Sequence, residues 1–134
     1  ITLWHVMEHL EKLDEVWSVF DRLLKKDGIL VIAVPNCASC DARIYGKEWA
    51  PYDVPRHLWH FTLETMKAEG ERHGFKLATY YPMPFDAFYV SMLSEKNLKH
   101  SCPFIRGLWN GFRAYLHTFG HKELSSSIIY IFRK

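Results

Sequence analysis

A chain of 134 residues can bury one modest core but not two, and 49% hydrophobic with 24% charged residues is the balance of an ordinary globular domain. Seventeen Lys and Arg against fifteen Asp and Glu leave a net charge of +2 with no dense basic stripe, and no apolar run approaches the ~18 residues of a membrane span, so neither a nucleic-acid nor a membrane partner is expected. Three cysteines are too few, and odd in number, for a secreted disulfide scaffold, so a reducing, cytoplasmic setting is expected.

Ile1 to Val6 reads as a buried strand, and Met7-Glu8-His9-Leu10 opens a helix. A strand of this kind with nothing ahead of it is expected to be an interior strand of a doubly wound α/β domain, so residues 1–134 are read as its C-terminal part. From Glu8 to Lys26, Leu10, Leu13, Val16, Trp17, Phe20, Leu23 and Leu24 recur at three- and four-residue steps, one apolar helix face. Lys25 and Lys26 suit the helix's negative end, and Gly28 is placed for a left-handed cap. Ile29 to Val34 is apolar without alternation, as in a parallel strand buried on both faces, and Pro35-Asn36 stops it. Strand, helix, strand is a βαβ unit with a right-handed crossover.

Cys37 to Phe61 has no consistent period, and a long irregular segment inside a compact domain is usually functional; it is expected to be a substrate lid. Thr62 caps a helix to about His73, closed by Gly74. Phe75 to Tyr81 is a strand ended by Pro82 and Pro84, and Phe85 to Leu98 is a helix. Pro103 opens another helix to about Phe119, and Ser127 to Phe132 is a last strand. Phe85, Phe88, Tyr89 and Met92, then Phe104, Trp109 and Phe112, form aromatic helical stripes that suit a core, an apolar substrate or an interface.

Leu3-Trp4-His5-Val6-Met7-Glu8-His9-Leu10, followed by Leu24-Lys25-Lys26-Asp27-Gly28-Ile29 and the run to Pro35-Asn36, resembles the second half of a class I S-adenosylmethionine-dependent methyltransferase. Asp53-Val54-Pro55-Arg56-His57-Leu58-Trp59-His60-Phe61-Thr62 is similar to a D-x-P-R-H-L-x-H-F-T segment of its small-molecule members, and Gly74-Phe75 also fits. The resemblance covers residues 1 to about 81. It implies an α/β fold, a partial Rossmann-like sheet with strand order 4-5-7-6 whose last strand in sequence is antiparallel, S-adenosylmethionine as cofactor and a small-molecule substrate. The family's glycine-rich loop and the acidic residue that holds the cofactor ribose have no counterpart here: no G-x-G occurs. Residues 1–134 alone are therefore expected to lack full cofactor binding. The exposed edge at residues 1–6 is expected to favour self-association.

Open α/β sheets bind ligands at the carboxyl ends of their strands. The resemblance therefore implies Trp4, His5 and Glu8 as cofactor-binding residues. Trp49, Tyr52, Arg56 and Trp59 are expected to bind substrate, with Arg56 on an anionic group. An acceptor hydroxyl or amine must lose a proton, a task that suits histidine near neutral pH, so His57 and His60 are the catalytic candidates. Two patterns carry metal-type donors. His5-x-x-Glu8-His9 matches a metallopeptidase motif, but that needs both histidines on one helix, whereas His5 falls on a strand. Cys37-x2-Cys40 with His57-x2-His60 has zinc-type donors at an unusually short histidine spacing. No resident metal is expected. The alternatives to an enzyme are a non-catalytic α/β interaction module and, less favoured, a zinc protein.

Overall fold

Apolar periodicity and turn residues organise the chain into one four-stranded sheet with five helices. The computed structural model describes all residues, 1–134. The strands are β1 (Thr2–Trp4), β2 (Ile29–Pro35), β3 (Lys76–Met83) and β4 (Ser127–Arg133), in the order β1-β2-β4-β3. β1 runs parallel to β2, with Leu3 opposite Ile32. β4 is antiparallel to both neighbours, with Ile32 opposite Tyr130 on one side and Tyr80 opposite Tyr130 on the other. This is the expected 4-5-7-6 arrangement, and the last strand in sequence is inserted between its two neighbours. β3 is an edge strand, which tolerates Pro82 because a proline there removes no inner ladder hydrogen bond.

The helices are α1 (Leu13–Leu23), α2 (Cys40–Tyr45), α3 (Leu63–Arg72), α4 (Asp86–Asn97) and α5 (Pro103–Gly120). Leu30, Ile32 and Val34 of β2 alternate into the main core, where they meet Trp17 and Phe20 of α1, Met66 of α3, and Tyr130 and Phe132 of β4. Trp17 is fully enclosed, edge-on to Phe20 and Phe132. A smaller cluster holds Ala42, Tyr45 and Trp49 against Val90 of α4. Thr62 caps α3 through a reciprocal pair with Thr65, and Gly74 takes the left-handed conformation that ends it.

Four expectations change. The helix expected from Glu8 is a 3-10 turn over Met7–His9, then α1 from Leu13, because the chain leaves β1 at His5 in a left-handed conformation (φ 52°) and must turn first. Gly28 is not a left-handed cap: α1 ends at Leu23 and Leu24 is already extended. Glycine is needed at position 28 for space, since a Cβ would sit 2.8 Å from Leu24 Cγ. β2 is not covered on both faces throughout, for Ile29 is exposed. Cys37 to Phe61 is not structureless, because Ser39 caps α2 by accepting from the Ala42 amide and two 3-10 turns, Gly46–Glu48 and Ala50–Tyr52, follow.

The stripe on α5 also resolves. Its packed face is the small one, Gly107, Gly111, Ala114 and Thr118, while Phe104, Trp109 and Phe112 face outward. No helix is long and apolar enough to cross a membrane. The small face lets α5 approach α4 closely: a Cβ on Gly107 would lie 2.7 Å from Met92 Cα. Gly107→Ala gains about 1 kcal/mol of helix propensity but must push the helices apart. The expected net result is a loss of roughly 1–2 kcal/mol in urea denaturation. Gly120→Ala, with open space around it, should cost nothing, and a stabilised Gly107→Ala would contradict the close approach.

Candidate functional site

β1 ends where the sheet's parallel pair opens, and the residues that follow line a cleft. His5 still donates its amide to Ala33 at 2.9 Å, so it is anchored to β2 as the chain turns away. The Met7–His9 turn then drops Met7 and Glu8 into the interior. The segment 56–61 is laid across this turn by main-chain hydrogen bonds. The Glu8 carbonyl accepts from the amides of Leu58 (2.8 Å) and Trp59 (3.3 Å), and the Phe61 carbonyl accepts from Cys37 at 2.9 Å just beyond β2. The Trp59 indole donates to the Leu10 carbonyl at 2.8 Å. The result is a cleft of about 530 Å³ between the strand ends, the 50–57 segment and α4. Its charged and imidazole lining is His5, His9, Asp53, Arg56, His57 and Asp86.

The electrostatics centre on His5. Its Nε2 lies 3.5 Å from Asp86 Oδ2, and its Nδ1 lies 3.4 Å from Glu8 Oε1. Asp86 first and Glu8 second hold its imidazolium against the loss of solvation, and its pKa rises to about 9 from an ordinary 6.5. Burial works to raise the Asp86 carboxyl, yet contacts with His5 and Ser127 bring it below its usual range. Arg56 donates to Asp53 at 2.7 Å, an exposed pair at the rim. His57 Nδ1 donates to the Pro51 carbonyl at 2.6 Å, and His9 Nδ1 to that of Arg56 at 2.9 Å.

The remaining residues singled out from the sequence are dispersed. Trp4 is half exposed on the edge strand β1. Trp49 is buried, with its indole donating to Asp41 at 2.9 Å, so it supports the wall from within. Tyr52 stacks edge-on between Trp49 and His60. His60 and Trp59 line a separate depression with Glu11, Asp14 and Glu69, away from His57. Cys37 and Cys40 are half-buried free thiols, and burial pushes both pKa values up. The ligand atoms gathered near His57 belong to Glu8 and His9, so the Cys37, Cys40, His57, His60 grouping does not assemble. His9 and Asp86 were not picked as site residues from the sequence. His9 adjoins Glu8 in the motif, whereas nothing local marks Asp86.

A family profile described as "Methyltransferase domain" matches residues 1–80. No curated protein sequence matches the chain. Among solved structures, a mycolic acid cyclopropane synthase crystallised with SAH and CTAB is similar over 98% of this chain at 12% identity and a TM-score of 0.54. The cyclopropane synthase MmaA2 from Mycobacterium tuberculosis is similar over the whole chain at 16% identity and a TM-score of 0.52. At such identities the likeness is one of fold. The chain spans about half the length of both, 53% and 54%.

The His5–Asp86 pair has a pH signature. His5 binds its proton more tightly when folded, so its contribution to stability is complete below pH 6.5 and fades as pH rises through about 9. The Asp86 contribution, of opposite sense, is present above the usual carboxylate range and lost below it. Imidazole NMR should place the His5 midpoint near 9, and Asp86→Asn should lower it. Asp86→Asn should also destabilise the chain more at pH 6 than at pH 10. A His5 midpoint at or below 6.5 would contradict the pairing.

Proposed function

From the premise that this chain belongs to the methyltransferase domain family, we propose that it forms part of an S-adenosylmethionine-dependent methyltransferase acting on a small molecule, with the transfer centred on the cleft between His5 and His57. The observation that carries this reading is the placement of the cleft at the carboxyl end of the parallel pair β1–β2, both of whose strands lie within the matched residues 1–80. The donor set suits the amino-acid end of the cofactor. Asp86 and Asp53 can accept from an ammonium group, while the His5 imidazolium can face a carboxylate. When bound, the cofactor supplies a methyl carbon activated by a sulfonium.

His5 borders that group in this reading, with Trp4 on the strand that leads to it, and the left-handed turn at His5 fixes where the imidazole sits. The acceptor enters from the side of the 50–57 segment, where Arg56 at the rim meets an anionic substrate group. His57, held by the Pro51 carbonyl, presents Nε2 as a basic nitrogen for the acceptor's proton. Tyr52 and Trp49 keep this wall in place, and Trp59 pins it to Leu10. Fixing acceptor and methyl donor in line and keeping water out is most of what a protein contributes to such a transfer. The edge of β1 is the surface for pairing with another strand, whether from a longer chain or a second copy.

The test is calorimetric binding of S-adenosylhomocysteine to the longest natural protein that contains this chain. Saturable binding is expected, weakened about tenfold by His5→Ala, a change of ~1.4 kcal/mol. His57→Gln should leave that affinity within twofold while lowering the methyl transfer rate by roughly 100-fold or more. Absence of binding, or binding indifferent to His5, would sink the assignment.

A further inference from the structure

The Met7–His9 turn buries a charge that the cleft's ion pairs leave unsatisfied. Glu8 is 1% exposed, and neither of its carboxylate oxygens has a hydrogen-bond partner. His5 Nδ1 approaches Oε1 at 3.4 Å, off the line of a hydrogen bond, and the same ring is shared with Asp86. A buried carboxylate whose one ion pair is long and shared, and which has no hydrogen bond, is costly, and where native proteins keep one it commonly serves a ligand or an ion.

Two imidazoles stand beside that carboxylate. One ligand atom from each of Glu8, His9 and His57 lies within 4.8 Å of the other two, and the two rings meet edge to face with centroids 4.6 Å apart. Each ring uses Nδ1 on a main-chain carbonyl, His9 on Arg56 and His57 on Pro51. A carbonyl can only accept, so each imidazole carries a proton on Nδ1, which in the neutral ring leaves the lone pair on Nε2. This is the tautomer, and the outer hydrogen bond, with which histidine binds metals. The acidic grouping of Asp14, Glu69 and His73 differs in kind, because Arg72 already reaches Asp14 at 2.7 Å and Glu69 at 2.8 Å.

We propose that Glu8, His9 and His57 form a binding site for a single divalent transition-metal ion. Two imidazoles and one carboxylate suit zinc, iron(II) or manganese and leave positions open for water or an oxygen ligand. Bonds of ~2.1 Å set donor atoms roughly 3.0–3.4 Å apart, and the three donor atoms already lie within 4.8 Å of one another. The site replaces the expectation that the chain holds no metal, with ligands other than the cysteine-containing set. Its consequence for catalysis rests on the methyl-transfer reading. A nitrogen bound to a cation takes no proton, so His57 would act by holding an ion that makes a bound acceptor hydroxyl more acidic.

Chelator-stripped chain is titrated with Co²⁺ by visible absorption and with Zn²⁺ by imidazole ¹⁵N NMR, each metal alone. Saturable binding of one equivalent is expected, with Nε2 of His9 and His57 shifting and that of His117 unmoved. Glu8→Gln and His57→Gln should weaken binding at least tenfold, with folding followed by circular dichroism. The double variant Cys37→Ser/Cys40→Ser and His60→Gln should stay within twofold. Binding absent, lost only in the cysteine variant, or unchanged in His57→Gln would overturn the site. If a ligand variant fails to fold, the wild-type NMR shifts decide. Metal binding by this chain together with no S-adenosylhomocysteine binding by the longest natural protein that contains it would uphold the site and sink the methyl-transfer reading instead.

Discussion

The main-chain carbonyl of Glu8 holds the candidate site together. By accepting from both Leu58 and Trp59 it fixes a segment from the middle of the chain across the turn that leaves β1. Without those bonds, 56–60 would be an exposed loop of five residues with little apolar burial of its own, the kind of segment that opens at small free-energy cost. With them, His57 is held beside His9, the Arg56 carbonyl meets His9 Nδ1, and Trp59 reaches Leu10. The geometry of the side chains follows from this main-chain stitch.

The second constraint is charge. The cleft concentrates two carboxylates, Glu8 and Asp86, around one imidazolium at His5, and a third, Asp53, is neutralised by Arg56 at the rim. The exposed Arg56–Asp53 pair contributes little to stability on its own and serves mainly to hold the rim of the loop. His5, by contrast, sits in a left-handed conformation that a non-glycine residue adopts at some expense, at the point where the strand must hand over to the turn. Strain, buried charge and a ligand-sized opening coincide at the carboxyl end of β1, which is where an open α/β sheet binds its ligands.

Much of the framework was legible in the sequence. The 3.6-residue spacing of Leu13, Trp17, Phe20 and Leu24 gave α1 its buried side. The uninterrupted Ile29–Val34 run marked β2, and Thr62 and Gly74 bracketed α3. The strand order came from the resemblance rather than from any local pattern. α2 escaped notice because six residues are too short to show a period, although Ser39 is an orthodox cap for it. On α5 the period is legible but the choice between core and exposed stripe is not, because glycine and alanine at 107, 111 and 114 carry no hydropathy signal while permitting a close helix approach. At the site, His5, Glu8 and His57 were each singled out, but nothing in a linear reading shows that the turn and the 56–60 segment meet. Asp86 lies at the start of α4, brought to His5 only by the tertiary fold.

Native-state hydrogen exchange at the Leu58 amide tests this account most directly. That amide belongs to an exposed residue outside any helix or strand, so only its bond to the Glu8 carbonyl can slow it. The account predicts protection of at least about a hundredfold, corresponding to ~2.7 kcal/mol of local opening. Exchange of Leu58 at the rate of an unstructured amide would mean the stitch does not form, and the cleft, its wall and the grouping of Glu8 with His9 and His57 would fall with it.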